Sequence, residues 1–261
     1  MDKLRTRRIF AADGRTVIVA MDHTAYFGPM AGLEHPGQVL QSVVAAGADA
    51  ILTTAGIAAH FGDQLGRAGL ILRADGGSSS RDPQPAGLRQ VLSVERALRL
   101  GADALVCMGM IGFPDESASL RVLTDLVNAC SPWGLPVLAE MLVKGAPTVE
   151  DITFAARVGA ELGADFIKTF YAGPPESYRA VIENCYAPVV VLGGEKAADD
   201  RAVLQAIAEA LQAGAVGVAI GRNVWQRADP AGMTRALVAL VHGGATVDEA
   251  LMELEETRGD R

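Results

Sequence analysis

Aromatic residues make up only 5% of the 261 positions, and the 23 Lys and Arg residues are outnumbered by 31 Asp and Glu. A net charge of −8 provides no clustered cationic surface of the kind that holds nucleic acid or an anionic membrane, so neither is expected as a partner. It leaves room for a small phosphorylated molecule, because backbone N–H groups and one local cation can hold a phosphate. No apolar run approaches the roughly 18 residues of a membrane span. Met1 to Phe10 is charged and has no apolar stretch, so a secretory leader is not expected. Cys107, Cys130 and Cys185 show no CxxC spacing, which suits reduced thiols in a cytoplasmic protein. His23, His35, His60 and His242 are scattered, without an HxH or HExxH pattern. No metal and no other cofactor is expected.

Glycine and short apolar runs, by contrast, are abundant. Gly47-Ala48-Asp49 precedes Ala50-Ile51-Leu52, Gly101-Ala102-Asp103 precedes Ala104-Leu105-Val106, and Gly163-Ala164-Asp165 precedes Phe166-Ile167-Lys168. A weaker copy, Gly214-Ala215-Val216, precedes Gly217-Val218-Ala219-Ile220. In each copy a glycine ends a helix in a left-handed conformation, the chain turns, and a buried strand follows. The copies lie roughly 50 to 60 residues apart, room for two strand-plus-helix units of about 30 residues each. Further strands are read at Val17 to Met21, Leu70 to Arg73, Pro136 to Glu140 and Val189 to Gly193. Helical patterns such as Asp151 to Leu162 and Asp199 to Ala213 lie between them. Continuous apolar strands alternating with helices describe a parallel α/β sheet covered on both faces. Eight of them in about 250 residues describe a single (β/α)8 TIM barrel over residues 1–261. An open doubly wound sheet is the alternative, but no GxGxxG follows the first strand. A C-terminal helix is expected at about 245–258. Its acidic part, Asp248 to Glu256, is a solvated face or an oligomer contact. Trp133 and Trp225 are read as packing residues.

Active sites of such barrels lie at the C-terminal ends of the strands. The residues there are Asp22 and His23, Arg73 and Asp75, Glu140 and Lys144, Lys168, Gly193 to Lys196, and Gly221 to Asn223. Lys168 stands level with Leu52, Val106 and Ala219 in the repeat, where the other copies are apolar. A lysine in a buried strand is costly unless paired or neutral. Burial favours the neutral amine, the form that attacks a carbonyl. The alternative is a salt bridge with a carboxylate such as Glu140 or Asp22. Gly193-Gly194 and Gly221-Arg222 follow the last two strands, where barrels commonly bind phosphate. Asp22 closes the first strand as a proton shuttle, a hydroxyl ligand or a loop cap.

Three segments carry a resemblance: Gly163 to Tyr171, Val191 to Lys196, and Gly217 to Gln226. With them the chain resembles the archaeal-type class I fructose-bisphosphate aldolase family, in the wider group that contains deoxyribose-phosphate aldolase. The resemblance runs from about Val17 to the C-terminal helix. It implies that Lys168 is the Schiff-base lysine, that Gly193, Gly194, Gly221 and Arg222 contact a substrate phosphate, that Asp22 is the strand 1 aspartate, and that the enzyme is a homo-oligomer. One position departs. The family, and the related synthase of an amino-dideoxy-heptulosonate, carry a Tyr-Pro-Arg-Gly turn after strand 5, whose tyrosine is the acid/base. Here the turn reads Leu142-Val143-Lys144-Gly145. The thiolase of autoinducer-2 breakdown also lacks that tyrosine, and Asp22-His23, Tyr26, Gly28-Pro29, Gly32-Leu33-Glu34 and Leu72-Arg73-Ala74 are similar to it.

Three functions follow. The first is a metal-independent class I aldolase acting on a phosphorylated ketose, with Asp22, His23 or Lys144 in the tyrosine's place. The second is thiolase-like acyl transfer from a phosphorylated dione to coenzyme A. The third is a barrel that binds a sugar phosphate without catalysis.

Overall fold

The repeat is a device that joins neighbouring strands at the N-terminal end of the barrel. In the computed structural model, which describes residues 3–83, 87–197 and 199–259, Gly47, Gly101, Gly163 and Gly214 all have φ between +82° and +112°. Each turns the chain out of a helix into a strand. The aspartate of each full copy then reaches back to the preceding strand. Asp49 accepts from the Val17 N–H at 2.7 Å, Asp103 from Leu70 at 3.0 Å, and Asp165 from Val137 at 2.8 Å. The backbone N–H of each aspartate donates to the carbonyl of that same residue. The weaker copy keeps only the backbone bond, from Val216 to Val189.

Eight parallel strands close into a barrel in the order β1-β8-β7-β6-β5-β4-β3-β2. They are β1 (Thr16–Ala20), β2 (Ala50–Thr53), β3 (Gly69–Arg73), β4 (Ala104–Ile111), β5 (Val137–Val143), β6 (Phe166–Thr169), β7 (Val189–Leu192) and β8 (Gly217–Ile220). Two strands run further than the sequence reading placed them. β4 and β5 pair from Leu105↔Val137 to Ile111↔Val143, so they project beyond the rim. After Arg73 the chain forms a short antiparallel ribbon, Asp75–Gly76 with Arg89–Gln90, that the sequence reading did not anticipate.

Alternation along each strand sorts the apolar residues into two cores. Ile18, Ala20, Leu52, Ile71, Val106, Leu138, Phe166, Val190 and Ala219 fill the barrel. Val17, Val19, Ile51, Leu72, Ile167, Val191 and Ile220 pack outward against the helices. Ile9 and Phe10 close the lower end, Phe10 edge-on to Phe166 at 5.3 Å. A helix at Val247–Gly259 ends the described chain. Trp225 is buried, with its indole N–H donated to the Ala20 carbonyl at 2.9 Å. Trp133 is about half exposed, so its reading as a packing residue is corrected: it sits in a single turn, Ser131–Trp133, at the end of a helix. Among the described residues no helix is long and apolar enough to cross a membrane.

Candidate active site

Four strands carry their inward face two residues past the apolar interior, and each extra residue is charged. Ala20 is followed on that face by Asp22, Ile71 by Arg73, Leu138 by Glu140, and Phe166 by Lys168. All four are buried, Lys168 to 4% exposure. Charges so placed need partners, and they find one another. Arg73 donates Nε to Asp22 Oδ2 at 2.7 Å and Nη1 to Asp75 Oδ1 at 3.1 Å, and its Nη2 bonds Glu140 Oε2. Glu140 Oε1 lies 2.6 Å from Lys168 Nζ. Register fixes that contact, since Glu140 and Lys168 are Cα partners across β5 and β6. The contact with Glu140 is one of the two pairings considered for a buried Lys168.

The electrostatics follow from the geometry. Burial would raise the Glu140 carboxyl, but Lys168 and Arg73 overcome it and hold the group well below the usual carboxylate range. Asp75 is raised instead, because burial outweighs its share of Arg73 and the Met108 N–H at 3.1 Å. Burial also lowers His23, with Asp22 opposing and Lys168 assisting, so the ring is neutral at pH 7. His23 lies edge-on to Trp225 at 5.4 Å, its Nδ1 3.6 Å from Asp22 Oδ1.

A second group of residues lies over β7 and β8. A side chain at Gly193 would collide with Ile220, and one at Gly221 would come within 2.6 Å of the Ala20 carbonyl and 2.8 Å of His23. Asn223, buried, ties the two loops together. It donates to the Gly193 carbonyl at 2.7 Å and the Glu195 carbonyl at 2.9 Å, and accepts from Ala197 N–H at 2.8 Å. Arg222 is 3.6 Å from the exposed Glu195 carboxylate, and its Nε is buried without a hydrogen-bond partner among the described residues.

The structure thus brings Asp22, His23 and Lys168 together at one end of the barrel, with Gly193, Gly194, Gly221 and Arg222 on the β7–β8 side. It leaves Lys144 out of the charged cluster. β5 ends at Val143 and the chain turns at Gly145, with φ +86°. Among the described residues the Lys144 backbone donates to Ile111, but no bond joins its ammonium to the cluster. Arg73, Asp75 and Glu140 stood at strand ends in the sequence without an assigned role. The signal was a charge closing an otherwise apolar strand. Among the described residues no group of three or more His, Cys, Asp or Glu side chains is arranged to hold a metal ion. A depression of about 770 Å³ between helices Val149–Glu161 and Pro175–Asn184 lies on the outer layer, away from these strand ends.

Residues 16–227 match the DeoC/LacD family aldolase model. The chain belongs to the DeoC/LacD aldolase family. It is 37% identical to the 2-amino-3,7-dideoxy-D-threo-hept-6-ulosonate synthase of Halobacterium salinarum, over 95% of this chain and 94% of that one. It is 30% identical to an uncharacterized aldolase of Saccharolobus solfataricus, over 97% and 98%. A solved archaeal fructose 1,6-bisphosphate aldolase superposes with a TM-score of 0.84 at 31% identity, over 93% of this chain and 99% of that one. Another structure of an archaeal fructose-1,6-bisphosphate aldolase, with its catalytic lysine bound to the carbinolamine intermediate, superposes at 0.83, also 31% identical, over 92% and 98%. The enzyme is a carbon–carbon lyase of the Schiff-base class.

Proposed function

We propose that Lys168 forms the Schiff base with the ketone carbon of a phosphorylated ketose and that Glu140 moves the protons around it. The observation that carries this reading is the 2.6 Å contact between Lys168 Nζ and Glu140 Oε1 inside the barrel. Glu140 takes one proton from the Lys168 ammonium, which frees the amine to attack; a second proton passes from the nitrogen to the former carbonyl oxygen, and Glu140 returns the first to that hydroxyl, so that water leaves and the iminium forms. Cleavage then sends the electron pair of the C–C bond to the iminium nitrogen. The proton of the neighbouring hydroxyl passes to a base, and an aldehyde is released. Protonation and hydrolysis of the enamine release the ketone and restore Lys168. Leu142 cannot transfer a proton, and Glu140 stands in the strand two residues before it. Arg73 holds Glu140, Asp22 and Asp75 in place, as a planar guanidinium with several donors can. Neutral His23 and Asp22 face the same space and would bond a substrate hydroxyl.

The phosphate in this reading rests on the backbone at Gly193, Gly194 and Gly221 and on Arg222, whose buried Nε lacks a partner among the described residues. Free, buried Cys107, Cys130 and Cys185 support a reducing, cytoplasmic setting, and assembly into a homo-oligomer belongs to the same reading.

Borohydride trapping with a panel of ketose phosphates and dihydroxyacetone phosphate, followed by peptide mass analysis, tests the assignment. A reduced adduct is expected on Lys168 and on no other lysine, and Lys168→Met loses about 10⁴-fold or more in turnover, the scale seen when a covalent nucleophile is removed. Glu140→Gln falls by about 10² to 10⁴, the usual worth of a general acid/base. A Glu140→Gln enzyme within a few-fold of wild type would remove the carboxylate from the mechanism, and the absence of any Lys168 adduct would remove the lysine.

A further inference from the structure

Register places the barrel mouth in a definite order. Lys168 pairs with Val190 on β7 to one side and with Glu140 on β5 to the other, and Glu140 pairs with Met108 on β4. Strands lie about 4.8 Å apart, so Met108 is two strands, about 10 Å, from Lys168. A ketose held at Lys168 with its phosphate over β7 and β8 has β5 and then β4 on its other side.

The surroundings of β4 are unlike those of β7 and β8. A cavity of about 540 Å³ opens there, lined on its apolar side by Tyr26, Phe27, Leu88, Met108, Met110 and Pro114. Neither Lys nor Arg is among its described lining residues, and its one charged residue is Asp115. Leu142 is the Cα partner of Met110 on β5. A phosphate would meet a carboxylate there and no counter-charge. Two hydroxyls at the edge of the cavity are conspicuous. Tyr26 Oη and Ser78 Oγ are buried and have no hydrogen-bond partner among the described residues. Buried hydroxyls left unpaired are costly, and a ligand oxygen at this point would satisfy them.

We infer that this cavity is the subsite for the aldehyde half of the substrate, and that this half is an unphosphorylated aldehyde with a short apolar tail. Tyr26 and Ser78 bond its oxygen, and Met108, Met110 and Leu88 take the tail. The inference rests on Lys168 as the Schiff-base residue. A phosphorylated aldehyde would have to turn instead into the neighbouring chamber of about 340 Å³, which shares Tyr26 and Ser78 and is lined by Arg96.

The test combines two independent measurements. In the synthetic direction, with dihydroxyacetone phosphate as donor, kcat/KM for butanal is expected to exceed that for glyceraldehyde 3-phosphate by about tenfold or more, within the range hydrophobic pockets achieve. Met110→Lys should reverse the order, and Arg96→Gln should leave it unchanged. A preference for glyceraldehyde 3-phosphate that Arg96→Gln abolishes would overturn the inference. The second measurement does not pass through the lysine. Methyl resonances of ¹³C-methionine-labelled enzyme are followed while butyramide, an unreactive likeness of the aldehyde, is added. Shifts at Met108 and Met110 are expected, and phosphoglycolate should produce none there. Unmoved Met108 and Met110 resonances at saturating butyramide would also overturn the inference. Shifted resonances without any borohydride adduct would leave the subsite standing and count against Lys168 alone.

Discussion

Three buried or strand-bound acidic side chains at each end of the barrel form sets that are wired differently. At the N-terminal end Asp49, Asp103 and Asp165 each hold the backbone of one neighbouring strand. Each also faces a basic side chain: His242 Nε2 at 2.9 Å (a ring shared with Asp13), Arg8 at 3.2 Å and Lys3 at 2.8 Å. At the C-terminal end Asp22, Asp75 and Glu140 all lean on the single guanidinium of Arg73, and Glu140 is shared again with Lys168. The lower arrangement is modular, one acid to one strand, which is what a repeated stabilising device needs. The upper one is a coupled network, in which a substrate that displaces one partner changes the field felt by the rest. Sequence periodicity produced the first; the second exists only because the barrel closes.

The sharpest way to break the upper network is Arg73→Met. It leaves three buried carboxylates without their common cation, and removing one partner of a buried ion pair costs about 3 to 5 kcal/mol. Denaturant unfolding at pH 8 should show a loss of that size, with activity lost as well. The loss should shrink at pH 5. Without the guanidinium the folded-state values of Glu140 and Asp75 rise, so they take up protons more readily in the folded protein and repulsion is relieved as pH falls. Glu140, now held low by Lys168 and Arg73 together, should move furthest. An equal loss at both pH values would mean that Arg73 stabilises through packing. A companion measurement sharpens the contrast between the ends. Arg73→Met and Glu140→Gln should be strongly non-additive, whereas Asp103→Ala and Asp165→Ala should add to within about 0.5 kcal/mol.

The same difference explains what could be read from the sequence. The barrel was legible because its repeat is local: a left-handed glycine, a turn, an apolar strand. Lys168 was legible because the repeat supplied three apolar residues to compare it with. Arg73 and Glu140 were visible as charges at strand ends, but their contact was not. β3 and β5 are separated by β4, and only the closed interior brings their inward faces together. The apolar cavity was hidden for a similar reason, since it joins loops after β1, β3 and β4 that no periodicity links. Lys144 stood in the sequence beside the missing tyrosine, yet proximity along the chain did not bring it into the cluster. The strand-capping aspartates were missed although they were in plain view. An aspartate recurring at one offset in three copies looks like part of a turn along the chain, but its side chain holds the neighbouring strand.

Single lesions at the lower end should therefore cost less and leave the chemistry alone. Asp103 is buried, and Asp103→Ala strands the Leu70 N–H without an acceptor. An unsatisfied buried donor costs about 1 to 3 kcal/mol, so unfolding should shift by that amount while kcat stays within about twofold of wild type. A kcat that fell with stability would show that the two ends are coupled.

The smallest effect should be at His242, and it depends on pH. Burial opposes its charge, but Asp13 at 2.7 Å and Asp49 at 2.9 Å outweigh burial and raise the imidazole above its ordinary value. A histidine raised by folding adds stability that is complete below the unfolded value of about 6.5 and is lost as pH climbs through the folded one. The pair is partly exposed, so screening keeps the gain modest. The stability gap between wild type and His242→Gln should be widest near pH 6 and narrow toward pH 9. A gap that stays constant across that range would show that His242 serves Asp49 as a neutral hydrogen-bond donor, and the lower end would then hold two charged caps, at Asp103 and Asp165, rather than three.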